Sequence, residues 1–322
     1  MRERLQLLFG LLLGITGMWW ATKGVHWEVV ESYVKNIKPF YVILLAVLFM
    51  VQQLLRAYRQ QLLLPKIRYR SSLMVLCIGF FFINTLPVRM GEITRPLLLK
   101  SKEEIPLSAS FAMVFTERIL DLISAFFMAL LVLSYAQIPM IEENWLARIP
   151  QLARWFIPLL IFVLFVLFFA GGWLEARLPM FLRTRLNPFF ATLRMQRKSI
   201  VKILLLTVLI WGGTPLMFLS GAMALGGDLS YIQGFGILGF TMLGMAAPNA
   251  PGFVGTYEAA FVSGLSIFGF SDANFNIAFA FLFHSWVYIV QSTSALYFLY
   301  TDRISFRNIL KQLRHFRVNS SA

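Results

Sequence analysis

Long apolar runs separated by short basic segments are the feature that most constrains this chain. Runs long enough, or nearly long enough, to cross a bilayer as a helix of about 20 residues lie at 5–22, 39–58, 107–135, 155–174, 200–225 and 275–300. Because 58% of the 322 residues are hydrophobic and 14% are charged, too few polar side chains remain to cover a water-soluble globule of this size. The sequence therefore predicts an all-α, polytopic integral membrane protein with about six full spans.

Two further apolar regions, 73–100 and 231–270, are interrupted by proline, glycine and charge, at Pro87–Arg95 and at Pro248–Gly255. Backbone that leaves the helix at membrane depth survives only where protein buries it or where it lines a cavity. A helix over Leu73–Leu86 would be about 21 Å long at 1.5 Å per residue, short of the roughly 30 Å hydrocarbon core. We therefore expect two broken, re-entrant helical pairs. Full helical hairpins are the alternative, because they would leave the basic loops on the same side of the membrane.

Basic residues set the expected orientation. They concentrate at 59–70, at 177–202 and in a basic tail at 301–322, whereas 226–230 and 271–274 contain none. Since basic loops are retained in the cytoplasm, we expect a multi-pass protein of the cell (plasma) membrane with both termini cytoplasmic.

With this orientation the spans fall into two halves of one transmembrane domain, about 5–135 and about 155–300. The halves run in opposite directions through the membrane, which makes them an inverted repeat. Interrupted segments at matching positions of such repeats indicate a substrate site near the midplane and alternating access. The alternative is that the number and order of the apolar runs produce this symmetry by accident.

The composition argues against several other classes of protein. The net charge of +14 comes from short segments between apolar runs, so no folded basic face is available to follow a nucleic acid. The single Cys77 excludes an intramolecular disulfide, and His26, His284 and His315 are too scattered to predict a metal site. No nucleophile elbow, phosphate-binding glycine loop or zinc-ligand spacing occurs, so neither catalysis nor a cofactor is predicted.

The first polar cluster, N-T-L-P-V-R-M-G-E-I-T-R-P, contains Asn84, Arg89, Glu92 and Arg95. In a helix that follows Pro87, the last three would lie on one face, where the carboxylate partly offsets the two arginines. The net positive pocket that remains suits a phosphate, because a planar guanidinium donates two parallel hydrogen bonds. The alternative is a cytoplasmic loop whose charges are merely solvated.

Glu117, Arg118 and Asp121 form a second cluster inside an otherwise apolar run. Charges at such depth cost at least about 2.5 to 3.5 kcal/mol each, so they should be paired and should face protein or water. Arg118 and Asp121 are one helical turn apart. An ion pair that locks this helix to the one carrying Arg56 and Arg59 is an equally good interpretation, and a gating ion pair would satisfy both.

The third cluster, P-N-A-P-G-F-V-G-T-Y-E, covers Pro248–Glu258. Its prolines and glycines, Pro251 and Gly252 among them, break the helix and free backbone groups. Tyr257 adds a hydroxyl, and Glu258 places a carboxylate at the start of the next helix, near the positive end of its dipole. A simple loop is the alternative, but a loop in water would not need long apolar runs on both sides.

His284, in F-L-F-H-S-W, lies inside the last apolar run. Its imidazole could exchange protons or hydrogen-bond a lipid headgroup. A lone histidine on an apolar helix is more often a satisfied contact between helices, so both interpretations stay open.

Together, R-x-G-E-x-x-R-P from Arg89 to Pro96, E-R-x-x-D from Glu117 to Asp121 and P-x-x-P-G-x-x-G-x-x-E from Pro248 to Glu258 resemble the lysylphosphatidylglycerol synthase transmembrane-region family. The order and spacing of the motifs carry the resemblance over nearly the whole chain. It implies a flippase-like module, since in that family the membrane part of the multiple peptide resistance factor moves aminoacylated phospholipid between leaflets. It also allows a homodimer.

The chain departs from the family pattern in two places. Phe253 stands where the family often has a second glycine, and the sequence ends at Ala322 without a soluble aminoacyl-transferase domain. The resemblance therefore implies a stand-alone module, to which the relative's lysyl lipid cannot simply be transferred as substrate.

We accordingly expect a lipid translocase whose partner is a phosphate-bearing or otherwise anionic membrane lipid. Arg89 and Arg95 would hold the phosphate, while Glu92 and Glu258 would offset or exchange charge with it. Two alternatives remain: a membrane-embedded transferase acting on a lipid carrier, and a scaffold that recruits lipid-synthesis enzymes through its basic face.

Overall fold

The computed structural model describes residues 2–86, 91–135, 199–246 and 250–320, together with isolated residues between 177 and 184. Within these residues the chain is helical and contains no strand. The expected span at 155–174 and the site residue Arg89 lie outside them. The prediction of an all-helical chain is confirmed for the part that can be described.

The first half of the chain forms α1 (Arg2–Ala21), α2 (Trp27–Lys35), α3 (Pro39–Leu63), α4 (Tyr69–Thr85), α5 (Gly91–Glu103) and α6 (Leu107–Tyr135). The second half forms α7 (Ile200–Ala224), α8 (Tyr231–Ala246), a 3-10 turn (Pro251–Phe253), α9 (Thr256–Ile267), α10 (Ala273–Thr301) and α11 (Phe306–Ser320). Helices therefore begin and end close to the predicted apolar runs, and both interrupted regions form two short helices in succession.

Three of these helices, α3, α7 and α10, are long and apolar enough to cross a membrane. They correspond to the expected spans at 39–58, 200–225 and 275–300. Shorter apolar helices lie at Leu8–Ala21 and Tyr69–Thr85. α6 is 29 residues long, which is enough to cross a membrane, and it carries the charged side chains of the second cluster.

Two apolar cores hold the described helices together. One joins α7, α9 and α10 around Phe218, Phe261 and Phe279. The other joins α4, α5, α6 and α11 around residues such as Leu99 and Met113. Because α4 also packs against α10 and against the 3-10 turn, it connects the first half to the second.

Glycines allow the closest approaches between helices at the broken regions. A Cβ on Gly91 would lie 2.2 Å from the Ile83 backbone nitrogen and 2.4 Å from Gly79 O, so α5 packs directly on the α4 backbone. A Cβ on Gly255 would lie 1.8 Å from Gly14 O, so α1 covers the turn before α9. Both contacts need residues without side chains, as small-residue packing between membrane helices does.

Outside the spans, α2 is fixed to the start of α10. The Tyr33 hydroxyl donates to Asp272 Oδ2 at 2.8 Å, and the His26 N–H donates to Asn274 Oδ1 at 2.7 Å. The hydrogen bond to the Asp272 carboxylate, with burial, raises the pKa of Tyr33 above its ordinary value. Asp272 also caps α10, because its side chain accepts the Asn274 N–H at 2.8 Å.

We expect Gly91→Ala to destabilise the protein by about 1 to 3 kcal/mol, since the new methyl group would overpack against backbone atoms that cannot move aside. Gly213→Ala in α7 is the matched control, because a Cβ at Gly213 meets nothing within 4 Å. The control should be neutral or more stable, as alanine favours a helix interior. Thermal unfolding in detergent measures both. Equal midpoints for the two variants would contradict the proposed close contact of α4 and α5.

Candidate functional site

A buried ion-pair network lies between α3, α6 and α7. Arg59 Nη1 donates to Asp121 Oδ1 at 2.9 Å and to Thr207 Oγ1 at 3.1 Å. The same Asp121 oxygen accepts Trp211 Nε1–H at 3.1 Å, and Arg118 approaches the other oxygen at 3.4 Å. The predicted ion pair that locks α6 to the helix carrying Arg59 is therefore present. It includes α7, so the two halves of the chain meet at this carboxylate.

Arg95 and Glu117 form a second buried pair, between α5 and α6. Arg95 Nη2 lies 2.5 Å from Glu117 Oε2, and the two side chains are 1% and 2% exposed. We expected Glu92 to offset Arg95 along one face of α5. The structure instead places the compensating carboxylate on α6, because the stem of Arg95 is buried over Gly79 of α4 and its guanidinium reaches Glu117.

The buried arginines keep unused hydrogen-bond donors. Arg95 Nε and Nη1 and Arg59 Nε have no partner among the described residues. A buried donor without a partner costs about 1 to 3 kcal/mol, more when it is charged. Arg56, one turn before Arg59, lies with its guanidinium 5.8 Å from the centroid of the Phe80 ring. Arg56 and Arg95, the latter with two spare donors, thus both lie against α4.

The end of the third cluster lies at the start of α9. Glu258 is 3% exposed, and its Oε2 accepts the Gly255 N–H at 2.6 Å, which caps the helix. Its Oε1 lies 2.6 Å from His284 Nδ1 on α10. Tyr257 stacks on the imidazole with ring centroids 4.2 Å apart. The predicted position of Glu258 near the positive end of α9 is confirmed, and His284 is its partner rather than a lone side chain.

The 3-10 turn brings the two interrupted regions together. Pro251 begins this turn, and Gly252 adopts φ +71°, a left-handed conformation that glycine tolerates. A Cβ on Gly252 would lie 3.7 Å from Asn84 O at the end of α4. The Asn84 amide in turn hydrogen-bonds Gln291 of α10. The predicted meeting of the two broken regions is therefore seen at Asn84 and Gly252, while Arg89 lies outside the described residues.

Several polar residues in or beside these clusters were not predicted. They are Thr207, Trp211, Gln291 and the pair of Gln60 on α3 and Ser72 on α4, whose side chains hydrogen-bond each other at 2.7 Å. The sequence indicates such residues only weakly, because uncharged polar residues are common in membrane helices. A helical-face count would have found one of them, since Gln60 follows Arg56 by one turn on α3. In the part of the chain that can be described, no hydrogen bond or ion pair joins Glu258 and His284 to the arginine network.

These features define an all-helical membrane protein, in the part of the chain described, with buried ion pairs between its helices and two broken helical regions in contact. The family model described as the transmembrane region of lysylphosphatidylglycerol synthase matches residues 7–317, so the chain belongs to that family. Membership places it among membrane modules related to lipid synthesis or translocation.

A curated relative, named glycosyltransferase AglD, from Haloferax volcanii, is 28% identical over 126 residues. The match covers 38% of this chain and only 20% of that protein, so the similarity involves a minor part of the relative. No solved structure matches the chain.

We expect Glu117→Leu to destabilise the protein by about 3 to 5 kcal/mol, because it leaves the Arg95 guanidinium buried without a counter-charge. The double variant Arg95→Met and Glu117→Leu should recover most of that loss, since two apolar side chains replace the whole pair. Thermal unfolding of the single and double variants in detergent provides the measurement. A double variant no more stable than Glu117→Leu alone would show that the pair is not the reason for the loss.

Proposed function

We propose that the protein is a membrane lipid translocase that moves an anionic or phosphate-bearing headgroup between leaflets. The observation that carries the proposal is the spare donor capacity of Arg95, whose Nε and Nη1 have no partner among the described residues although the side chain is buried. A guanidinium binds phosphate through such paired N–H groups. Family membership supports a role in lipid synthesis or translocation.

In this proposal the two halves are an inverted repeat and the helix pairs α4–α5 and α8–α9 are re-entrant. Helix length supports this arrangement. At 1.5 Å per residue, α4 is about 25 Å long, α5 about 20 Å, α8 about 24 Å and α9 about 18 Å, all shorter than the roughly 30 Å hydrocarbon core. Each pair is also packed helix against helix. The protein is embedded in the plasma membrane, and both of its termini lie in the cytoplasm.

The headgroup passes where the pairs meet, beside Asn84 and Gly252. Arg89 and Arg95 bind the phosphate, and Glu92 and Glu258 compensate charge along the path. Because Arg95 is enclosed in the described conformation, the helix pairs must move for the headgroup to reach it, as alternating access requires. The Arg95–Glu117 pair keeps the guanidinium neutralised while no phosphate is present.

Arg95→Lys tests the role of the guanidinium without removing its charge. The lysine can still pair with Glu117 but offers no planar set of donors, so a bound phosphate loses a charge-assisted hydrogen bond of about 1.5 to 3 kcal/mol. We expect the movement of fluorescent phosphatidylglycerol between leaflets of proteoliposomes to slow by at least about tenfold.

Arg70→Lys is the matched control, because Arg70 is an exposed arginine that also pairs with a carboxylate, Asp302 at 2.6 Å. It should leave the rate unchanged. Arg89→Ala extends the test to the second predicted phosphate ligand and should also slow the movement. Equal rates for all variants, the natural chain and empty vesicles would end the translocase proposal.

A membrane-embedded transferase is the second candidate, because a relative with the printed name glycosyltransferase shares part of the sequence. Glu92, Asp121 or Glu258 would then act as a base. The two candidates separate when the purified protein is incubated with a lipid-linked sugar donor. Formation of a transferred product would favour the transferase, whereas movement of lipid without product favours the translocase.

A further inference from the structure

Glu258 is held in place through both of its oxygens. One accepts the Gly255 N–H and the other faces His284 Nδ1, each at 2.6 Å. Gly255 itself lies at φ +85° directly beneath Gly14 of α1. The carboxylate is therefore anchored to a part of the backbone that has no room to shift, while the imidazole that faces it belongs to another helix.

His284 is the more accessible member of the pair. Its side chain is 17% exposed, against 3% for Glu258. The Tyr257 ring covers one face of the imidazole at an interplanar angle of 26°. This stacking suits a charged imidazolium, which the electron-rich face of an aromatic ring attracts. The exposed part of the pair therefore belongs mainly to the histidine.

The described helices around the pair carry little other charge. Between Ala273 and Thr301, α10 has no Asp, Glu, Lys or Arg, and α8 has none. In α9 the only such residue is Glu258, and α1 has none after Arg4. The charged groups of the remaining helices that pack on α10 are Glu28, Glu31, Lys35, Arg56, Arg59, Arg70 and Lys202. Of these, Lys35 pairs with Glu31, Arg59 with Asp121 and Arg70 with Asp302.

The charge of the pair therefore depends on one proton. With an imidazolium beside the carboxylate, the pair is neutral and can be enclosed. With a neutral imidazole, the pair carries one negative charge, and enclosing an uncompensated charge among apolar helices is expensive. Burial thus selects the proton-bound form, and exposure to water allows the proton to leave.

The pair also connects to the place where the broken regions meet. Gln291 follows His284 by seven residues, two helical turns, so both lie on one face of α10, about 10 Å apart along its axis. Gln291 bonds Asn84 of α4, and Glu258 lies in the first turn of α9, the helix that follows the turn containing Gly252. The contact between α4 and the 3-10 turn is thus linked to α10 through Gln291 and to α9 through the chain that follows Gly252. A movement of α9 or α10 that separates Glu258 from His284 would therefore disturb this contact.

We infer that Glu258 and His284 form a proton-binding site, which takes up a proton on the imidazole when this region closes and releases it when the region opens to water. No bond other than N–H changes, and the proton comes from and returns to water. The site itself stands on the geometry of the pair; its coupling to lipid movement rests on the proposed function.

Nitrogen-15 NMR of histidine-labelled protein in nanodiscs tests the site without reference to transport. The chain has three histidines. In a variant with His26→Asn and His315→Asn, only the two ring nitrogens of His284 give imidazole signals. We expect its nitrogen shifts to change from those of a neutral imidazole to those of an imidazolium between pH 8 and pH 5.5. In Glu258→Gln, which keeps an oxygen for the Gly255 N–H, the pH range of the change should differ.

Shifts that stay constant over this pH range, or a titration identical in Glu258→Gln, would overturn the proton site and leave a static hydrogen bond. The coupling has a separate test in vesicles of phosphatidylcholine with fluorescent phosphatidylglycerol. We expect the rate for the natural chain to change at least about fivefold between pH 8 and pH 5.5, and the rate for His284→Asn to be independent of pH. Asparagine keeps a donor near the position of Nδ1 but does not titrate in this range.

The same pH dependence in His284→Asn as in the natural chain would refute the coupling. Absence of phosphatidylglycerol movement at every pH would count against the proposed translocase, and the NMR titration would then still decide whether the pair binds a proton. The two failures are therefore distinguishable.

Discussion

Ionic groups placed inside apolar helices can exist only in compensated form, and this constraint determines how the helices of the protein are arranged. Arg59 and Arg95 are among its largest fully buried side chains, and each reaches a carboxylate on α6. Since the cost of an unpaired charge at this depth is several kcal/mol, α3, α5 and α6 are held in the positions that keep these pairs closed. The packing of α7 on Asp121 follows from the same requirement.

This arrangement has consequences for function as well as for stability. Charge pairs that only fixed the helices could be replaced by apolar side chains at little cost. The protein instead keeps arginines with spare donors next to a helix pair that is packed through glycines. The contact between Asn84 and the turn at Gly252 then links this region to the carboxylate and imidazole of the second half. We propose that the arginines of the first region bind a lipid headgroup and that the carboxylate and imidazole of the second bind a proton.

Much of this could be predicted from the sequence. Apolar runs predicted the positions of α3, α6, α7 and α10, because length and hydrophobicity suffice to specify a membrane helix. Proline and glycine predicted where the helices of the two broken regions are interrupted. The cap formed by Glu258 was predictable too, since its position relative to Gly255 is a local property of the chain.

Partners that lie far apart in sequence were harder to predict. The sequence indicated that Arg95 needs a counter-charge but favoured Glu92, because spacing along one helix is visible and packing between helices is not. The pairing of His284 with Glu258 depends on how α9 and α10 face each other, which no local pattern records. The same holds for Trp211 and Thr207, whose bonds to the Arg59–Asp121 pair arise only when α7 packs on α3.

The central claim is that polar groups from both halves meet in a space that water and lipid headgroups enter. Reaction of Asn84→Cys with a membrane-impermeant thiol reagent, in protein whose buried Cys77 is replaced by serine, tests it directly, because only a hydrated thiol ionises and reacts. We expect rapid labelling that anionic lipid slows, and no labelling of Leu122→Cys, because Leu122 of α6 is 70% exposed and would face lipid in the proposed arrangement. Labelling of Asn84→Cys as slow as that of Leu122→Cys would contradict it.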